Sequence, residues 1–143
     1  MRGVRHHETQ IKVRFNEIDA YRVAWHGHYV AWMEVGRSAL AEQFGLDVES
    51  LAAAGFLGPV VTLELKYLQP ALLGEILTVR TSLARGEAAT LEFRCTVIDS
   101  DGKARARGKT VHVLTDLDGV LQYQLPQVIG ERVERMLVWQ EGP

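Results

Sequence analysis

This chain has one cysteine, few prolines and no long apolar run, and each scarcity removes a class of answer. Cys95 alone cannot close an internal disulfide or supply a cysteine-rich zinc site. With only four prolines and no Pro/Gly/Ser-rich or charge-only stretch, nothing reads as a linker between two apolar blocks, so a single domain over residues 1–143 is expected. The apolar runs are broken by charges well before bilayer-spanning length, which speaks against a membrane protein. The segment Met1-Arg2-Gly3-Val4-Arg5-His6-His7-Glu8 has no apolar centre and does not resemble a secretory signal, so a cytoplasmic location is expected. A net charge of −2 sets up no field that favours nucleic acid or an anionic membrane.

What is present is a chain that is 47% hydrophobic and 24% charged, enough for one core. Ile11, Val13 and Phe15 alternate with polar residues, as a half-buried strand requires. Residues 16–22 have no period and read as a loop. From about Trp25 to Phe44, Tyr29, Met33, Leu40 and Phe44 follow helical spacing, and Gly45 supplies a stop. Ala31, Gly36, Ser38, Ala39 and Ala41 make this helix rich in small side chains, so it can lie close to a surrounding sheet or a second helix. Asp47 caps a short helix over 47–54.

The period then returns to two. Val61, Leu63, Leu65 and Tyr67 form one strand, Leu77 to Leu83 the next, and Leu91 to Val97 another. Breaks at Arg85-Gly86-Glu87 and Ser100-Asp101-Gly102 signal hairpins. A last strand over about Lys103 to Leu114 puts Arg105, Arg107, Lys109, Val111 and Val113 on one face. Pro126 opens a C-terminal helix with Val128, Ile129, Val133 and Leu137 turned inward. The expectation is an α+β fold with the last four strands in meander order. A sheet with one covered face needs a partner copy, at least a dimer.

The densest chemistry lies in Arg14-Phe15-Asn16-Glu17-Ile18-Asp19, followed by Ala20-Tyr21-Arg22-Val23-Ala24-Trp25-His26-Gly27-His28-Tyr29. A loop carboxylate, Asp19, comes shortly before His26 at the start of the long helix. The first amides of a helix are unpaired donors carrying partial positive charge, suited to an oxyanion. A carboxylate facing them could attack an activated carbonyl or deprotonate a water that does so.

This segment resembles the motif of the 4-hydroxybenzoyl-CoA thioesterase-like hotdog family, Arg-aromatic-x-Glu-x-Asp-x-x-Gly-x-x-x-His-x-Asn-Tyr. Tyr67-Leu68-Gln69-Pro70-Ala71 and Gly74-Glu75-Ile76-Leu77-Thr78-Val79 are similar to its second motif, and the likeness covers about residues 8–115. It implies a hotdog fold: a five-stranded antiparallel sheet wrapped around one long central helix, with a short helix and a C-terminal helix added. It also implies a cofactor-free acyl-CoA thioesterase, a homodimer or homotetramer with its site at the subunit interface. Asp19 would be nucleophile or general base, and the backbone amide at His26 would polarise the thioester carbonyl. Tyr29 would line the acyl pocket, with Met33 shaping its depth.

Three positions depart from the pattern. Arg22 replaces Gly, so the loop either strains a non-Gly residue or directs Arg22 at a substrate anion. His28 replaces Asn, exchanging an amide for an imidazole beside the substrate. The basic cluster some relatives carry near the third hairpin is reduced here to Arg85, so either the stripe of Arg105, Arg107 and Lys109 meets the CoA phosphates or the thiol carrier is something other than CoA. His26 and His28 point about 200° apart on a helix, which argues against a shared metal ion. A hotdog hydratase or dehydratase and a non-catalytic acyl-CoA or acyl-carrier binding module are the alternative functions. The acyl group is left open by the sequence.

Overall fold

Alternating side chains give the strands one apolar face, and that face closes on a single long helix. The computed structural model describes residues 5–86 and 89–142, so Met1–Val4 and the Glu87-Ala88 part of the expected hairpin lie outside the described residues. The elements are β1 (His7–Lys12), α1 (His28–Glu42), α2 (Val48–Ala53), β2 (Phe56–Leu57), β3 (Val60–Tyr67), β4 (Ile76–Ala84), β5 (Thr90–Ile98), β6 (Ala104–Val113), β7 (Thr115–Asp116) and α3 (Gln127–Glu141). Five strands form one antiparallel sheet in the order β1-β4-β5-β6-β3, and β2 pairs with β7 as a small second ladder. No helix among the described residues is long and apolar enough to cross a membrane.

The sheet order corrects the meander expected over the last four strands. Only β4, β5 and β6 run in sequence, and β3 lies at the far edge against β6. The reason is the length of the β3–β4 connection. Eight residues separate Tyr67 from Ile76, an extended reach of about 26 Å against roughly 14 Å for three strand spacings. Ala71 pins the crossing, accepting from Ala24 N–H at 2.9 Å and donating to the Tyr29 hydroxyl at 3.0 Å.

Two apolar clusters hold α1 to the sheet. Around its first half lie Tyr29, Trp32, Met33, Val13, Leu77, Val79 and Val97. Around its second half Leu40 meets Leu83, Leu91, Phe93 and Leu114, with Ile129, Met136 and Leu137 of α3. Between them Gly36 touches β4 so closely that a Cβ there would stand 2.6 Å from Thr81 Oγ1 and 2.8 Å from Val79 Cγ1. That contact is one physical reason for the small residues in α1.

Some boundaries move. Phe15 leaves the expected strand for a 3₁₀ turn over Phe15–Glu17 and is 83% exposed. The long helix begins at His28 rather than Trp25, because Gly27 provides its N-cap. Asp47 caps α2 as expected, accepting from Ser50 N–H at 3.3 Å. Val128 faces outward, not inward, because Ile129, Met136, Leu137 and Gln140 make the buried side of α3. The Gln140 side chain donates to Leu83 O and accepts from Leu83 N–H, completing the β4 edge beyond the last β1 pair.

His112 is buried in β6. Its Nδ1–H donates to Gly58 O at 2.9 Å, which leaves Nε2 to accept from the Thr110 hydroxyl. Burial, with the Arg37 charge, pushes its pKa below the ordinary 6.5. Below pH 6.5 the unfolded chain then takes up a proton that the folded chain resists, so stability falls on acidification. Thermal melts of His112→Gln beside wild type should show a shallower loss between pH 7 and pH 5. Parallel curves would mean that another group governs this range.

Candidate active site

The β1–α1 connection folds on a buried carboxylate. After the 3₁₀ turn, Glu17 reaches back and accepts from Arg14 N–H at 2.8 Å and from the Trp32 indole N–H at 2.9 Å. It is 3% exposed. Burial opposes its charge, yet these hydrogen bonds and the Arg14 guanidinium win and hold its pKa below the usual 4.5. The Glu17 carbonyl also accepts from Trp25 N–H at 2.9 Å. One residue therefore ties both ends of the loop to α1.

The next residues close a small hairpin. Ile18 bridges Ala24, Asp19 N–H donates to Val23 O, and Arg22 N–H donates to Asp19 O, both at 3.0 Å. This is a three-residue loop whose last position needs a left-handed residue. Arg22 occupies it with φ 65°. The loop strains a non-Gly residue here: Arg22 takes the conformation glycine would take, at about 1–2 kcal/mol. Its side chain is exposed and is not among those lining the adjacent cavity. Arg22→Gly should relieve this strain and, after the extra chain entropy of glycine, raise stability by up to about 1 kcal/mol in a denaturant melt. A loss of stability instead would mean that the Arg22 side chain holds the loop.

Asp19 sits at the start of this turn. Its Oδ1 accepts from Tyr21 N–H at 2.8 Å, and among the described residues Oδ2 has no protein donor. Asp19, Tyr21, His26, Tyr29, Tyr67 and Pro70 line a cavity of about 370 Å³. A larger depression of about 790 Å³ runs along the outer side of α3, but its walls are that helix's own solvent-facing side chains and no chemistry converges there.

The other cavity wall is the approach to α1. His28 N–H donates to Trp25 O, whereas the amides of His26 and Gly27 have no acceptor among the described residues. They lie at the positive end of α1. Tyr67 fixes this turn, its hydroxyl donating to His26 O at 2.6 Å. Tyr29 stacks edge-on against Tyr67 at 5.0 Å, and burial raises the pKa of both phenols, so they stay protonated. The Trp25 ring flanks His26 and His28 and covers Gly27, where any Cβ would overlap it.

The other expected site residues are scattered. Met33 is buried under β6, its thioether against Gly108, rather than in the cavity wall. His28 is half-buried beside Trp25 and does not line the cavity. Arg85 lies past the far end of β4, held by Glu134 at 3.4 Å and Glu141 at 3.1 Å. Arg105 is 11% exposed, its guanidinium clamped by Glu75, Asp99 and the Pro70 carbonyl. Arg107 is exposed and has no carboxylate partner among the described residues. No group of three or more His, Cys, Asp or Glu among the described residues is arranged to hold a metal ion. Burial pushes the Cys95 thiol up to about 12, so it is inert at neutral pH.

Glu17 and Tyr67 hold the site together without a role that residue spacing alone would assign them. Glu17 stands within the first motif and Tyr67 within the second, and motif membership was the available signal for both. What they hold became visible only with the fold.

Residues 13–133 match the family described as the Thioesterase-like superfamily. The crystal structure of a hypothetical protein, TT1821 of Thermus thermophilus, is 33% identical and superposes with a TM-score of 0.79 over 90% of this chain and 98% of that one. YneP of Bacillus subtilis (strain 168), named as a candidate acyl-CoA thioesterase, is 28% identical over 109 residues, covering 76% of this chain and 79% of its own. Slr0204 of Synechocystis, a 1,4-dihydroxy-2-naphthoyl-CoA thioesterase, shares the fold at 17% identity, with a TM-score of 0.78 over 90% of this chain and 95% of that one. The architecture is the expected hotdog fold.

Proposed function

From the chain's membership of the Thioesterase-like superfamily, we propose that it hydrolyses acyl-CoA thioesters to the free acid and CoA. The observation that carries this reading is one cavity shared by Asp19, with a free carboxylate oxygen, and the unpaired amide of His26 before α1. The thioester carbonyl accepts from that amide, which the helix dipole reinforces. Asp19 takes a proton from water as the water oxygen adds to the carbonyl carbon. The tetrahedral intermediate then collapses, the C–S bond breaks, and CoA leaves as thiolate. In the covalent variant Asp19 itself adds, giving a mixed anhydride that water cleaves in a second step. Neither route needs a metal or redox cofactor.

Tyr29 and Tyr67 provide an aromatic wall for the acyl group, and Tyr67 also holds the His26 carbonyl away from the reacting carbon. The edge strand β3 exposes Val60, Val61 and Leu63, a row that invites pairing with a second copy. Pairing there would form a homodimer and bring the partner against the cavity at Tyr67.

The test is thiol release from a panel of aromatic, short branched and medium-chain acyl-CoA esters, with crotonyl-CoA hydration followed in parallel. Release from at least one ester is expected. Hydration without release would move the assignment to a hydratase, and binding without either would move it to a carrier module.

A further inference from the structure

Near the start of β6, Arg105 faces acceptors from the β3–β4 and β5–β6 connections. Its Nη1 donates to Pro70 O at 2.8 Å and to Glu75 Oε1 at 3.0 Å, Nη2 donates to Glu75 Oε2 at 2.6 Å, and Nε donates to Asp99 Oδ2 at 2.9 Å. Its own carbonyl accepts from Leu68 N–H at 2.9 Å and from Gln69 N–H at 3.1 Å. One residue thus grips three successive positions, Leu68, Gln69 and Pro70, and all three line the cavity that holds Asp19.

The next link reaches the cavity's aromatic wall. The Pro70 carbonyl and the Ala71 N–H are the two ends of one planar peptide. Arg105 holds the oxygen, and the N–H on the other side donates to the Tyr29 hydroxyl at 3.0 Å. Turning or shifting that plane moves Tyr29. A buried guanidinium between two carboxylates is not needed merely to hold a loop, because apolar side chains of similar volume often stabilise as well or better. What the fork adds is direction: it fixes its acceptors at set angles, which a lysine ammonium does not. A pocket's choice among acyl groups turns on differences as small as about one methylene, so the place of this wall matters.

We propose that Arg105 is a positioning residue for acyl selection: by fixing the Pro70–Ala71 peptide it sets where Tyr29 stands, and so which acyl groups the cavity admits. This deepens the acyl-CoA reading and rests on it, but its test reads binding rather than turnover. Calorimetry with the panel of acyl-CoA esters, in an Asp19→Asn background so that no ester is consumed, ranks the acyl groups. Arg105→Lys keeps a charge facing Glu75 and Asp99 but loses the fork onto Pro70. It should narrow the affinity ratio between the best and worst esters by about fivefold or more, while leaving the affinity for free CoA unchanged. In the same variant the Ala71 N–H should exchange with solvent about tenfold faster, with the β4–β5 amides as protected as before. Glu75→Gln loosens one arm of the fork and should shift the ratio the same way by a smaller factor; it carries the test if the lysine variant does not fold. Ile129→Val, in the cluster around the second half of α1, lowers stability without touching the crossing and should leave the ranking unchanged.

An unchanged ratio in the folded Arg105→Lys protein overturns the proposal. So does a ranking altered as much by Ile129→Val, or a parent protein that binds every ester alike. An equal loss for every ester and for free CoA also overturns it, and would assign Arg105 to the CoA moiety. If Arg105 governs the ranking yet wild type releases no thiol, the hydrolase reading fails and the positioning role stands. Thiol release with a ranking indifferent to Arg105 gives the reverse.

Discussion

An Asp19→Asn variant folds normally and loses about 10²- to 10⁴-fold in kcat, the range attached to removing a general base. Asparagine retains the oxygen that accepts from Tyr21 N–H at 2.8 Å, so the turn and the hairpin over 18–24 survive. The oxygen that changes is the one with no protein donor, and it is the one available to take a proton or form a bond. The His26 amide and the Tyr67 hydroxyl bond are untouched, so KM for the ester should shift by no more than about threefold. The loss corresponds to about 3–5 kcal/mol of transition-state stabilisation. A melting curve and a KM measurement on the same preparation separate this from misfolding. Loss of structure with loss of activity would mean that Asp19 acts as a turn residue.

Glu17→Ala has the largest expected effect on stability. The substitution leaves the buried Trp32 indole N–H, paired at 2.9 Å, without its acceptor, and opens the part-buried Arg14 N–H, paired at 2.8 Å, to solvent. A buried donor without a partner costs about 1–3 kcal/mol, so the variant should lose about 2 kcal/mol and melt several degrees lower. Glu17→Gln keeps an acceptor oxygen for one of these donors and should lose less. Because the Glu17 backbone also orders Trp25, the alanine variant should release thiol more slowly even well below its melting point. A change in stability under 1 kcal/mol would show that Trp32 is held by packing alone.

Local patterns in the sequence carried over into the structure where the physics is local. Alternation of Leu77, Val79 and Leu83 with polar neighbours fixes a buried strand face, and Asp47 caps a helix wherever that helix packs. Arg22 in a position where the motif has Gly marked the left-handed turn that the backbone in fact adopts. The misses were long-range. Alternation assigns a face but not a neighbour, so β3 could not be placed beside β6, nor Lys66 opposite Arg107. The stripe of Arg105, Arg107 and Lys109 looked uniform along the strand. Asp99 and Glu75, brought from two other connections, single out Arg105 as an internal clamp and leave Arg107 open. Glu17 looked like one more loop acid until the fold buried it under Trp32.

The measurement closest to the central claim is thiol release by wild type and Asp19→Asn, side by side, on whichever acyl-CoA ester the panel ranks best. The account predicts rapid release by wild type and at least a hundredfold slower release by the folded variant. Equal rates from the two proteins would contradict it, because the chemistry would then lie outside the cavity that Asp19 shares with the His26 amide.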